Sequence, residues 1–132
     1  MTDVEGVARG TPFDEGLLDV ILQSVKVGEE IRTLSNQRAN RIEAIDADGI
    51  SVTTGRSTRM GTGPQKVPAW MITRAWNHIC KHGYLTQQGL LHDLDVKRSA
   101  FVCALLAKFP GVEVETVRPT LLRLAARHLR PS

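Results

Sequence analysis

Apolar residues fall at positions 13, 17, 18, 20, 21, 22 and 25, a spacing that predicts one amphipathic helix over residues 13–27. Asp14, Glu15 and Asp19 lie near its N-terminal end and Lys26 near its C-terminal end, as the helix dipole favours. Gly28 supplies a stop. The period then shortens. Residues 31–34, 40–46 and 50–54 read as strands, and Ile50, Val52 and Thr54 alternate with Ser51 and Thr53, the period of a half-buried strand. Ala47-Asp48-Gly49 reads as a tight turn. Residues 35–39 form a polar loop, and residues 55–65, rich in Gly and basic residues, predict an exposed loop. Pro68 opens a second helix, at a position where its missing N–H is harmless. Met71, Ile72, Ala75, Trp76, Ile79 and Cys80 take one face, Thr73, Arg74, Asn77, His78, Lys81 and His82 the other, and Gly83 ends it.

Residues 85–117 carry the most informative pattern. Thr86 is placed to cap a short helix whose buried face is Leu90, Leu91 and Leu94. Asp95-Val96 makes a turn, with Asp95 tolerating the left-handed conformation. A helix over residues 97–109 follows, broken by Pro110-Gly111. After Ser99 it is apolar nearly all round, as in buried helices, with Ala100, Ala104 and Ala107 as its expected exposed strip. Val112, Val114 and Thr116 then alternate with Glu113, Glu115 and Val117 as a strand. Residues 120–129 fit either a returning strand over 121–124 or a C-terminal helix.

A chain of 132 residues with 42% apolar content suits one domain, or two small modules sharing a core. The pattern divides it into a flexible N-terminus (1–12), a helix plus β-meander (13–68) and a second module with a basic tail (69–132). No run approaches the ~18 apolar residues of a membrane span, and residues 1–10 lack the apolar stretch of a secretory signal. The expectation is a cytoplasmic protein with no membrane partner. Cys80 and Cys103 sit in apolar helical patterns and read as buried reduced thiols.

Charge is unevenly placed. Residues 1–30 hold seven acids against Arg9 and Lys26, a net −5, while residues 31–132 hold fifteen basic residues against seven acids, a net +8. Residues 49–92 contain no acid but include Arg56, Arg59, Lys66, Arg74 and Lys81; residues 116–132 again contain none, with Arg118, Arg123, Arg127 and Arg130. Such a surface attracts polyanions, and twelve Arg against five Lys suits bidentate phosphate and guanine contacts.

Catalytic readings find little support. Gly61, Gly63 and Pro64 are followed by Gln65, not by the Gly-Lys-Ser/Thr of a phosphate-binding loop. His78 and His82 share a helix face, but Cys80 points away from them and no third ligand follows. Glu43, Asp46 and Asp48 read as surface acids of a hairpin, because Thr53-Thr54-Gly55 stands where a nuclease would place Glu-x-Lys. No catalytic residue, metal site or cofactor is expected.

Leu85-Thr86, then Leu90-Leu91-Leu94, the Asp95-Val96 turn and Lys97-Arg98-Ser99 at the next helix start together resemble the winged helix-turn-helix family, over residues 70–124. The resemblance implies an α+β fold: an N-terminal helix, a small antiparallel β-meander, then a winged helix-turn-helix. It also implies a non-catalytic module for duplex DNA, with Lys97, Arg98 and Ser99 entering the major groove. Phosphate contacts are expected from Arg56, Arg59 and Lys66 in the 55–66 segment and from Arg118 and Arg123 at the wing. Thr33-Leu34, Asn40, Ile42, Val67-Pro68 and Trp70 also resemble accessory DNA-targeting domains of bacterial restriction and defence endonucleases, which implies a larger parent protein. The alternative within the winged-helix family is a protein-interaction or dimerisation module.

Overall fold

A computed structural model describes residues 7–61 and 63–125, the side chains of Arg56, Ser57 and Thr58 excepted. Asp14 sets where the chain first becomes helical. Its carboxylate accepts from the Leu17 N–H at 2.7 Å, so helix α1 spans Glu15–Ser24 and Phe13 stays outside it. Phe13 is instead buried, its N–H donating to the Ala47 carbonyl at 2.8 Å. The pattern over 13–27 overestimated the helix at its far end too. Val25 takes extended backbone (φ −142°) and buries its side chain, which serves the core without another helical turn.

Strands β1 (Glu30–Arg32), β2 (Ala39–Asp46), β3 (Gly49–Thr54) and β4 (Gln65–Pro68) form an antiparallel sheet in chain order. Ile31, Ile42, Ile50, Val52 and Val67 are its buried apolar residues. Gly49 is required at the β2–β3 turn. It sits at φ +153°, and a Cβ there would lie 2.3 Å from the Val67 carbonyl oxygen. The loop expected over 55–65 contains a helix, α2 (Gly55–Met60), ended by Gly61 at φ +71°, a common way to terminate a helix. β4 escaped the sequence pattern because Gln65-Lys66-Val67-Pro68 offers one strongly apolar residue and hence no alternation.

The second half runs α3 (Ala69–His82), β5 (Tyr84–Thr86), α4 (Gln87–His92), α5 (Ser99–Leu106), β6 (Val112–Val117) and β7 (Thr120–Leu124). Its three strands pair in the order β5-β7-β6. Residues 120–124 are therefore strand, and Arg127 and Arg130 lie outside the described residues. Thr86 caps α4 by accepting from the Gly89 N–H at 3.0 Å, and Asp95 has φ +58°. α5 is shorter than the expected 97–109. Arg98 (φ −96°, ψ 38°) is not yet helical. At the other end the Lys108 and Phe109 N–H groups bond back three residues, and Pro110 disfavours helical backbone at Phe109.

Burial corrects several expectations. Cys80 is exposed, because the inward line of α3 runs through Ile72, Ala75 and Ile79. Cys103 is buried, and desolvation pushes its thiol up to about 12. Leu91 is 36% exposed, and among the expected trio Leu90 alone is fully buried. Ala104, placed by the pattern on an exposed strip, is 2% exposed.

The result is an α+β protein with one continuous apolar core fed by α1, both sheets, α3, α4 and α5. Arg74 fastens the start of the described chain to this unit. It donates to the Val7 carbonyl at 3.0 and 3.2 Å and to the Leu94 carbonyl at 2.7 Å, and its guanidinium lies 4.5 Å from the centre of the Trp70 ring. Arg9 covers the same ring at 5.1 Å and pairs with Asp95. Of the N-terminus expected to be flexible, residues 1–6 lie outside the described residues. Among the described residues, no helix is long and apolar enough to cross a membrane.

The Gly49 geometry yields a direct test. Gly49→Ala must displace the β4 backbone and is expected to destabilise the protein by roughly 2 kcal/mol or more. A urea melt that leaves the midpoint unchanged would contradict the β2–β4 approach.

Candidate anion-binding cleft

A basic concavity forms where three segments meet. These are the turn from β1 to β2, the start of α2, and the paired N-terminal ends of α4 and α5. It encloses about 910 Å³. Arg38, Arg59, Lys97 and Arg98 line it, and among the described residues no acidic residue does. Its polar wall includes Thr33, Asn40, Thr54, Gln87 and Ser99.

Local hydrogen bonds explain why Arg38 is held there. The Thr33 hydroxyl accepts from the Arg38 N–H at 2.9 Å, and the Thr33 N–H donates to the Arg38 carbonyl at 2.9 Å. The Asn40 carboxamide donates to the same carbonyl at 3.2 Å. Gln37 completes the turn at φ +57°. Thr33 and Asn40, both 5% exposed, thus serve as the scaffold of a turn that presents a cation.

Four of the eight residues singled out from sequence converge here: Arg59, Lys97, Arg98 and Ser99. Arg98 donates to the Gln65 side-chain oxygen at 3.3 Å, and Lys97 stands 3.7 Å from the Asp95 carboxylate. Ser99 is 4% exposed, at the first position of α5. The other described candidates are engaged elsewhere. Lys66 lies 3.3 Å from Asp46. The Asp48 N–H, with help from that Lys66 ammonium, holds the Asp46 carboxyl below its usual range. Arg123 pairs with Glu115, which lowers the glutamate and raises the arginine. Arg118, beside the cis Arg118-Pro119 peptide, donates to the Ser35 carbonyl at 2.8 Å and so ties the β6–β7 turn to the Arg38 turn. The Arg56 side chain lies outside the described residues.

Sequence reasoning missed Arg38 and Gln87. Arg38 is the basic residue of the polar 35–39 loop, and no spacing rule links it to residues sixty positions later. Gln87 follows the Thr86 cap and carries no charge to mark it.

Two of the three acids considered as a nuclease cluster are occupied in their hairpin. Glu43 accepts from the Thr53 hydroxyl at 2.7 Å, and Asp46 accepts from the Asp48 N–H at 2.8 Å. His78 and His82 contact one another, ring centres 4.3 Å apart. No group of three or more residues suited to hold a metal occurs among the described residues.

From α5 the cleft wall takes Ser99, Ala100 and Phe101, at its N-terminal end. The body of that helix packs against α3 and α4 on one side and β1 on the other, with Ala104 beside Glu30 and Arg32. Comparison with protein-family models, curated proteins and solved structures finds no match to this chain.

The enclosure of α5 is testable. Ala104→Arg would insert a long charged side chain between α5 and β1. It is expected to destabilise the fold by about 3 kcal/mol or more, through overpacking and charge burial. A neutral result in a thermal melt would mean that this face of α5 is free.

Proposed function

We propose that this chain is a non-catalytic DNA-binding module of the winged-helix type, meeting duplex DNA through the basic cleft rather than by laying α5 along a groove. The order α3-β5-α4-α5-β6-β7, with strands paired β5-β7-β6, supports the winged-helix reading. The observation that carries the functional reading is the acid-free cleft with Arg38, Arg59, Lys97 and Arg98 around its wall. Among the described residues, Arg38 and Arg59 have no carboxylate partner. Cations left free of carboxylates are available to replace the counterions of phosphates. The covering of α5 by β1 argues against groove insertion by its whole length, so contact is made by the rim of the cleft. Such binding positions a protein on DNA and carries little sequence information. That suits a targeting module of a larger DNA-processing or defence protein.

A second reading, a protein-interaction module, is favoured by β6. It is an outer strand exposed along most of its length, with Val114 and Val117 at 40% and 44%. A monodisperse dimer with no DNA affinity is the outcome it requires.

Anisotropy titrations of a labelled duplex separate the two. If the four cleft cations each meet a phosphate, log K against log salt should fall with a slope of roughly −3.6. Arg59→Ala and Lys97→Ala should each reduce that slope by about one, while Lys66→Ala and Arg123→Ala should leave it nearly unchanged. A flat salt response, or equal losses from Lys66 and Arg123, would overturn the assignment.

A further inference from the structure

We propose that Arg9 is a positioning residue for DNA binding: it holds the Asp95 carboxylate and so leaves Lys97, the cleft cation beside that acid, to meet a phosphate. The inference rests on the nucleic-acid reading above and names how that same site is tuned.

Asp95 is the weak point of the cleft. Its carboxylate lies 3.7 Å from the Lys97 ammonium, and Lys97 lines the cleft. That separation exceeds a hydrogen bond, so Lys97 is held by charge and not by a fixed geometry. A lysine drawn to a phosphate has to leave Asp95. A carboxylate then left alone repels the same phosphate, because it stands well inside the screening length of about 8 Å at physiological salt.

Arg9 removes this conflict. The two oxygens of Asp95 are divided between two cations: Oδ1 faces Lys97, and Oδ2 accepts from Arg9. With Arg9 in place, Asp95 keeps a counter-charge when Lys97 departs.

The fold delivers Arg9 to this point. Its segment is tied on both sides. The Val7 carbonyl accepts from Arg74 at 3.0 and 3.2 Å, and the Phe13 N–H donates to the Ala47 carbonyl at 2.8 Å. Between them the Thr11 N–H donates to the Ala8 carbonyl at 3.1 Å. Arg74 also donates to the carbonyl of Leu94 at 2.7 Å, the residue before Asp95, so one guanidinium joins the segment of Arg9 to the turn of Asp95. The Trp70 ring, 7% exposed, has Arg74 4.5 Å and Arg9 5.1 Å from its centre, both at cation–π distance. The turn is fixed in its own right. Asp95 has φ +58°, and the Val96 N–H donates to the Leu90 carbonyl at 3.1 Å. Exposed ion pairs are normally weak because two long side chains must be ordered to form them. Here the Trp70 ring orders one member and the turn orders the other.

The test uses the full chain and anisotropy titrations of a labelled duplex over a range of salt. Arg9→Gln is expected to weaken binding about threefold at low salt. It should also move the salt slope toward that of Lys97→Ala, and the loss should fade as salt rises. Arg9→Lys, which keeps the charge, should restore most of the affinity. Asp95→Asn removes the acid and suits the left-handed turn, which Asn adopts as Asp does. In that background Arg9→Gln should change neither affinity nor slope. Two results would overturn the inference while the DNA reading stands. One is an Arg9→Gln loss that is the same with and without Asp95→Asn, since Arg9 would then touch DNA itself or act on the fold alone. The other is an Arg9→Gln variant that binds as the parent does while Lys97→Ala weakens binding. Absence of salt-dependent binding by the parent chain would instead remove the DNA reading, and the role of Arg9 with it.

Discussion

Helix α5 has to be covered on nearly every side, and the rest of the molecule is arranged around that need. Phe101, Val102, Cys103, Ala104, Leu105 and Leu106 are all buried. A helix without a polar face cannot sit at a surface. α3 and α4 cover one side of it, and β1 covers the other. The β-meander is therefore part of the same core as the helix-turn-helix segment, which explains why one apolar cluster runs from Phe13 to Leu124.

Covering the helix body leaves its N-terminal end as the open part, and the charge pattern follows that geometry. The Arg38 turn, held by Thr33 and Asn40, comes from the meander; Lys97 and Arg98 come from the turn before α5. Neither module alone supplies the cleft. The Arg118 bond to the Ser35 carbonyl ties the β6–β7 turn to the Arg38 turn. Lys66 and Arg123, outside the cleft, are matched with Asp46 and Glu115, and Lys97 stands by Asp95, while Arg38 and Arg59 have no carboxylate partner among the described residues.

Much of the architecture was legible in the sequence because local rules govern it. Thr86 caps its helix as its position implies, Asp95 adopts the left-handed turn, and the alternation in Ile50-Ser51-Val52 marks a strand. What escaped depends on tertiary contact. β4 exists because β3 offers it hydrogen bonds, not because of its own composition. The ends of α1 and α5 are set by burial of Val25 and by Pro110. Lys97, Arg98 and Arg59 could be picked by charge, but their convergence with Arg38 is a product of the fold. The sequence also marked the body of α5 as apolar nearly all round without showing what covers it.

The central claim is that nucleic acid meets this protein at the N-terminal end of α5. Backbone amide shifts of the labelled protein, followed by NMR as a duplex is added, test it most directly. The account predicts that the largest changes fall on Arg38, Arg59, Gln87 and residues 97–100, which share the cleft wall. Residues of α1 and β6 should stay still. Changes concentrated along β6 or α1, with the cleft amides unmoved, would contradict it.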